Sequence, residues 1–168
     1  MTGKVFVDTS LLVYARDLDS HSKQTIAADW LAMLWRDQNG RTSIQVLNEY
    51  YVTVTRKRKP GLPADEAWAD VQSYLAWQPQ VIDAELLRLG RELERRYLLS
   101  WWDSLIVGAA QVQQCTLLLT EDLQDGMSFG TVTVRDPFRL KMSEPIPTYH
   151  VSPAPYRGRG RPARSIRT

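Results

Sequence analysis

The chain of 168 residues fits one domain of ordinary size, with 43% apolar residues and six Trp available to build a core. A single cysteine, Cys115, excludes an intrachain disulfide framework, and with only two distant histidines, His21 and His150, no cysteine–histidine zinc site can be assembled. The net charge of +2 hides an asymmetry: five Arg and no acid follow His150, so residues 1–150 carry 16 basic and 19 acidic groups, a balance of −3, and the basic character comes from the tail.

The N-terminus runs directly into a strand-like segment without a signal-peptide core, and no apolar stretch reaches membrane-spanning length. A soluble cytoplasmic protein with no membrane partner is expected. Lys4-Val-Phe-Val-Asp8 suits a buried strand, and residues 10–16 read as a helix turning away from it. Residues 22–37 repeat apolar side chains at helical spacing and stop at Asn39-Gly40, which reads as a C-cap. Residues 42–44 look like a brief second strand leading into a helix over 45–56, and Pro60-Gly61-Leu62-Pro63 breaks the chain before a helix over 64–76. Val81-Ile82 is expected to form a short third strand.

Residues 84–97 are helical in period and rich in charge, and Ser100 opens a further helix, running to about Gln114, that contains Asp103. Thr116-Leu-Leu-Leu-Thr120 is a buried-strand run, 121–126 a polar loop, and Thr131-Val-Thr-Val134 a last strand. The helical Trp and Tyr residues are expected mostly in the core, not as base-stacking platforms. Strands separated by helices imply a mostly parallel sheet covered on both faces. From Glu144 onward Pro, Ser, Gly and Arg dominate, so one domain over 1–143 and a flexible basic extension over 144–168 are expected.

Four carboxylates draw notice, each with an ordinary explanation. In an open α/β sheet, ligands bind beyond the carboxyl ends of the strands. Asp8 ends the first strand, where it could cap the following helix, and Asp122 follows the Thr116–Thr120 run, where it could be a plain loop acid. Glu49 sits in IQVLNEYYVTV with Gln45, Val46, Val52 and Thr53 three and four residues away, so it has no helical cation partner. Asp103 completes Ser100-Trp-Trp-Asp103, a capping box. Together they form a pattern: Asp at a strand end, Glu in an apolar helix, Asp at a helix start, Asp after a late strand. Such a set would repel itself, and a hard divalent cation such as Mg²⁺ or Mn²⁺ relieves that.

VFVDTSLLVYA, SIQVLNEYY, LLSWWDSLIVGAA and LLLTEDLQDG, in this order and spacing over about residues 4–140, resemble a PIN-domain nuclease, more narrowly the VapC-type toxin of bacterial toxin–antitoxin pairs. The resemblance implies a three-layer α/β/α sandwich and a metal-dependent endoribonuclease acting on single-stranded RNA. It implies Asp8, Glu49, Asp103 and Asp122 as catalytic metal ligands for Mg²⁺, with Mn²⁺ able to substitute, and Ser10 as the accompanying hydroxyl. Among the neighbours Glu121 and Asp125, Asp125 is the second choice for the fourth acid. Products with 5′-phosphate and 3′-hydroxyl ends would follow. A cognate antitoxin and a homodimer are the implied protein partners.

Arg56, Lys57, Arg58 and Lys59 suit a helix C-terminus, and would alternatively form a phosphate track, with Arg157, Arg159 and Arg161 of the tail as further RNA contacts. A dehalogenase-like phosphatase would want a second Asp where Ser10 stands, and neither it nor a receiver domain accounts for Glu49 and Asp103. A non-catalytic RNA-binding module on the same fold is the alternative.

Overall fold

The computed structural model describes residues 3–139. Among them, five strands form one sheet in the order β2-β1-β3-β5-β4: β1 (Lys4–Val7), β2 (Gly40–Arg41), β3 (Cys115–Leu119), β4 (Ser128–Phe129) and β5 (Val132–Arg135). β1 pairs in parallel with β2 and β3, β3 pairs in parallel with β5, and β4 alone is antiparallel to β5. Six α-helices flank the sheet: α1 (Thr9–Ala15), α2 (His21–Asp37), α3 (Ile44–Val52), α4 (Ala64–Tyr74), α5 (Ala84–Tyr97) and α6 (Trp101–Val112). The result is the expected three-layer α/β/α sandwich.

The central strands are unbroken apolar runs because helices cover both of their faces. Val5, Phe6 and Val7 in β1 and Leu117, Leu118 and Leu119 in β3 are fully buried. α6 is apolar around nearly its whole circumference from Leu105 to Ala110, because it lies against β3 and β5 on one side and α5 on the other. Two glycines permit that approach: a Cβ on Gly90 would stand 2.8 Å from Leu105 Cδ2, and one on Gly108 would stand 3.0 Å from Leu86 Cδ1.

Several expectations change. Gly40 is not a C-cap: Gln38 takes the left-handed position (φ 55°), while Gly40 lies in β2 beneath Trp77, whose ring would be 2.5 Å from a Cβ there. The second strand is therefore at 40–41, not 42–44. Val81-Ile82 is not a strand: only Gln80 bridges Ser43, both apolar side chains are exposed, and the chain turns at once so that Asp83 can cap α5. The helix over 45–56 loosens after Val52 into a π turn, Thr53–Lys57. β4 was not expected; Gly130 in the left-handed region (φ 61°) folds it back onto β5. The boundary at 143/144 and the tail arginines Arg157, Arg159 and Arg161 lie outside the described residues.

Candidate active site

From β1 the chain runs by way of α1 and α2 to β2 on one side, and after α3 to α6 it returns to β3 on the other. The strand order therefore switches at β1, and the crevice beyond the carboxyl ends of β1 and β3 is the natural ligand position in an open sheet. The ladder extends one residue into it, with the Asp8 amide donating to the Leu119 carbonyl at 3.1 Å. Asp8 is thus seated beside Thr120. The buried Thr120 hydroxyl donates to Asp8 Oδ2 at 2.7 Å and accepts from the Asp122 amide at 3.1 Å, so one hydroxyl joins the acids that follow β1 and β3.

Asp8 also caps α1, its Oδ1 accepting from the Thr9 amide at 2.7 Å. The capping reading was correct and does not compete with a ligand role, since a helix N-terminus favours an ionised acid. The next residue supports a third acid: the Thr9 hydroxyl donates to Glu49 Oε2 at 3.1 Å. Glu49 Oε1 accepts from the Gln45 amide at 3.2 Å. Ser100 caps α6 as expected, its Oγ accepting from the Asp103 amide at 3.1 Å, while the Asp103 carboxylate accepts at Oδ2 from the Ser100 hydroxyl at 2.7 Å.

The four acids feel one another. Burial raises the Asp8 carboxyl from its usual 3.8 to about 7 against the hydrogen bonds from Thr120 and Thr9, and the charges of Asp122 and Glu49 add to the rise. Burial also raises Asp103, with Glu49 adding to it, and raises Asp122, with Asp103, Glu121 and Glu49 adding to it. Opposite charges would have lowered these values. Asp8, Glu49 and Asp103 accept hydrogen bonds only from neutral groups among the described residues, namely a backbone amide, the hydroxyls of Thr9, Ser100 and Thr120, and the Gln45 amide.

The neighbouring acids differ. Glu121 is held at 2.7 Å by Lys23 Nζ, which also lies over the rings of Tyr14 and Phe138. Asp125 accepts from Arg135 Nε at 3.0 Å and from the Asp136 amide at 2.8 Å. Ser10 Oγ is buried without a hydrogen-bond partner. In the basic run, Arg58 is tied to the buried Asp17 at 2.6 Å, while Arg56, Lys57 and Lys59 are exposed. Trp102 departs from the expectation that helical aromatics are mostly core, being 60% exposed one residue before Asp103.

Thr9, Gln45, Thr120 and Lys23 were not singled out in the sequence. Thr120 had the clearest signal, a hydroxyl closing a strand of leucines; Gln45 had the next, one helical turn before Glu49.

The donor set suits a hard cation, being made of carboxylate oxygens. Among the described residues no group of three or more Asp, Glu, His or Cys is drawn together into a ready metal cage.

A search of curated proteins finds no match. Among solved structures, FitAB bound to the IR36 DNA fragment aligns with TM-score 0.64 at 14% identity, covering 83% of this chain and 99% of that one. VapC20 of Mycobacterium tuberculosis, a toxin that cleaves the sarcin–ricin loop, aligns with TM-score 0.54 at 20% identity, covering 68% of this chain and 87% of that one. Both likenesses are of fold. The PIN domain family model matches residues 5–124, from the β1 strand through the Asp8 junction and past Asp122, and by that match the chain belongs to the PIN-domain family.

Proposed function

We propose that the protein is a Mg²⁺-dependent endoribonuclease that hydrolyses single-stranded RNA, acting in the cytoplasm as the homodimeric toxin of a toxin–antitoxin pair and restrained by its cognate antitoxin. One observation carries the catalytic part: at the switch point of the sheet the carboxyls of Asp8, Asp103 and Asp122 are raised by burial with neighbouring acids adding to it, and among the described residues Asp8, Glu49 and Asp103 accept hydrogen bonds only from neutral donors. Two other buried or half-buried acids differ in having cations, Asp17 with Arg58 and Asp70 with Arg16. PIN domains are generally nucleases. FitAB and VapC20 support the toxin part, the first by its DNA-bound assembly and the second as an RNA-cleaving toxin.

Asp8, Glu49, Asp103 and Asp122 would hold the ion, which when bound supplies an activated water and charge neutralisation at the phosphate. The chain's own groups do the rest. Thr120 keeps Asp8 and the backbone of Asp122 in step across the strand ends, and Ser100 orients Asp103 while closing the first turn of α6. Burial raises the Asp8 carboxyl to about 7, so a cation bound there would compete with a proton for it. Lys23 removes Glu121 from the set, leaving Asp122 as the acid after β3. The exposed ring of Trp102 offers a face on which an unpaired base can stack, which favours a single strand over a duplex. An apolar groove of about 350 Å³ between α3 and α4, lined by Ile44, Leu47, Tyr51, Trp68, Val71 and Leu75, supports a protein partner.

The test is direct: purified protein is incubated with labelled single-stranded RNA and Mn²⁺ or Mg²⁺, with EDTA as control. Metal-dependent cleavage that leaves 5′-phosphate ends is the expected result. Retention of RNA without cleavage would instead establish a binding module.

A further inference from the structure

We propose that Gln45 is a positioning residue of the acidic site: its buried amide fastens the Glu49 carboxylate to the first turn of α6, so that the acids of α3 and α6 keep a set separation before any cation arrives. The proposal rests on the metal-dependent reading above and names what holds that site in shape.

Gln45 is 6% exposed, and its Nε2 group has two N–H donors, both of them used. One goes to Glu49 Oε1 at 3.2 Å, a turn further along α3, and the other to the Trp102 carbonyl at 3.3 Å, across 57 residues of sequence. The carbonyl matters because it belongs to the peptide unit that joins Trp102 to Asp103. The N–H of that same planar unit donates to Ser100 Oγ. The unit is therefore held at both ends, by Gln45 at its oxygen and Ser100 at its nitrogen, and it carries the Asp103 side chain.

On the far side of Glu49, Oε2 accepts from the hydroxyl of Thr9, the residue after Asp8. Thr9, Glu49, Gln45 and the Trp102 carbonyl thus form a continuous strap over α1, α3 and α6, which bear or adjoin three of the four acids. A glutamine suits this task better than a lysine or arginine. An amide orients a carboxylate by hydrogen bonding and leaves its negative charge intact, whereas a cation would orient it and cancel the charge a metal ion needs. Glu49 is itself exposed, so without the strap its carboxylate would range among rotamers and an incoming ion would have to order it.

The experiment uses the full-length protein and Mn²⁺, with free ion measured by its EPR signal and thermal midpoints recorded in EDTA. Gln45→Met keeps length and flexibility and removes both donors. It is expected to weaken Mn²⁺ binding about ten-fold, in the range for loss of a residue that orients a ligand. In a Glu49→Gln background the same change is expected to cause no further loss, because the carboxylate it orients is gone. Equal Mn²⁺ affinity of Gln45→Met and wild type would overturn the proposal, as would the same loss in both backgrounds, which would place its effect on the fold at large. A wild-type protein that binds no Mn²⁺ would overturn the metal-dependent reading itself, and the positioning role with it. Should Gln45→Met fail to fold, NMR of the wild type decides: slowly exchanging Gln45 side-chain amide protons that shift on adding Mg²⁺ are expected, and fast exchange without a shift overturns the assignment.

Discussion

Asp8→Asn in metal-free buffer separates a charge kept for a cation from a helix cap. Asn caps as well as Asp and can keep the bond from the Thr9 amide, and its own amide can donate to Thr120 Oγ1 in place of the bond it loses. What changes is charge. With the folded carboxyl near pH 7 and the unfolded one near 3.8, the folded chain binds more protons between about pH 4 and about pH 7. The contribution of Asp8 to stability is therefore most favourable at or below about pH 4, declines as pH rises through that window, and is level above it. The fully ionised state pays at most ~4 kcal/mol for the displaced proton equilibrium. Burial of the Asn amide and reorientation of Thr120 return part of this, so Asp8→Asn is expected to gain about 2 kcal/mol at pH 8 in EDTA. For a domain of this size that is about 4–8 °C in thermal midpoint, vanishing between about pH 5 and 6 and reversing to a loss of about 2 kcal/mol by about pH 4. With Mn²⁺ at about a hundred times its Kd the order reverses, since wild type gains about 2.7 kcal/mol from binding and the variant much less. Midpoints by calorimetry at both pH values, with EDTA and with Mn²⁺, check the whole set. An Asp8→Asn protein that loses stability equally at both pH values in EDTA would refute the reasoning and leave Asp8 a cap and nothing more.

Asp103→Asn keeps the bond to Ser100 and removes the charge, so cleavage is expected to fall by orders of magnitude while the metal-free midpoint stays level or rises slightly; a variant that cuts RNA normally would remove Asp103 from the site. Asp122→Asn should likewise abolish cleavage, whereas Asp125→Asn should cut normally and lose about 1 kcal/mol, because it gives up the contacts with Arg135 and the Asp136 amide; the reverse pattern in parallel cleavage and denaturation assays would make Asp125 the fourth acid. Deleting residues 155–168 removes the five tail arginines, so the salt dependence of RNA binding should flatten by at most about 3.5 in log–log slope, and an unchanged slope would mark the tail as inert toward RNA.

Local signals were legible in the sequence because their causes are local. The unbroken apolar runs of β1 and β3 announced strands buried on both faces, Ser100 and Asp103 announced a helix start, and four acids in their order and spacing announced a PIN domain. Composition alone removed zinc and disulfide frameworks. Tertiary structure decided what depends on partners distant in sequence. Gly40 reads as a cap until Trp77 is seen above it, Val81-Ile82 reads as a strand until no neighbour pairs with it, and Trp102 reads as core although α6 turns its ring outward. The same holds within the site. Glu121, Asp122 and Asp125 are interchangeable as letters, and only tertiary contacts distinguish them, of Lys23 with Glu121, 98 residues apart, and of Arg135 with Asp125. The bonds from Thr120 to Asp8 and from Gln45 to Trp102 span 112 and 57 residues. A hydrogen bond needs its donor and acceptor within about 3 Å, and no periodicity or local pattern encodes which two residues so far apart along the chain will meet at that distance.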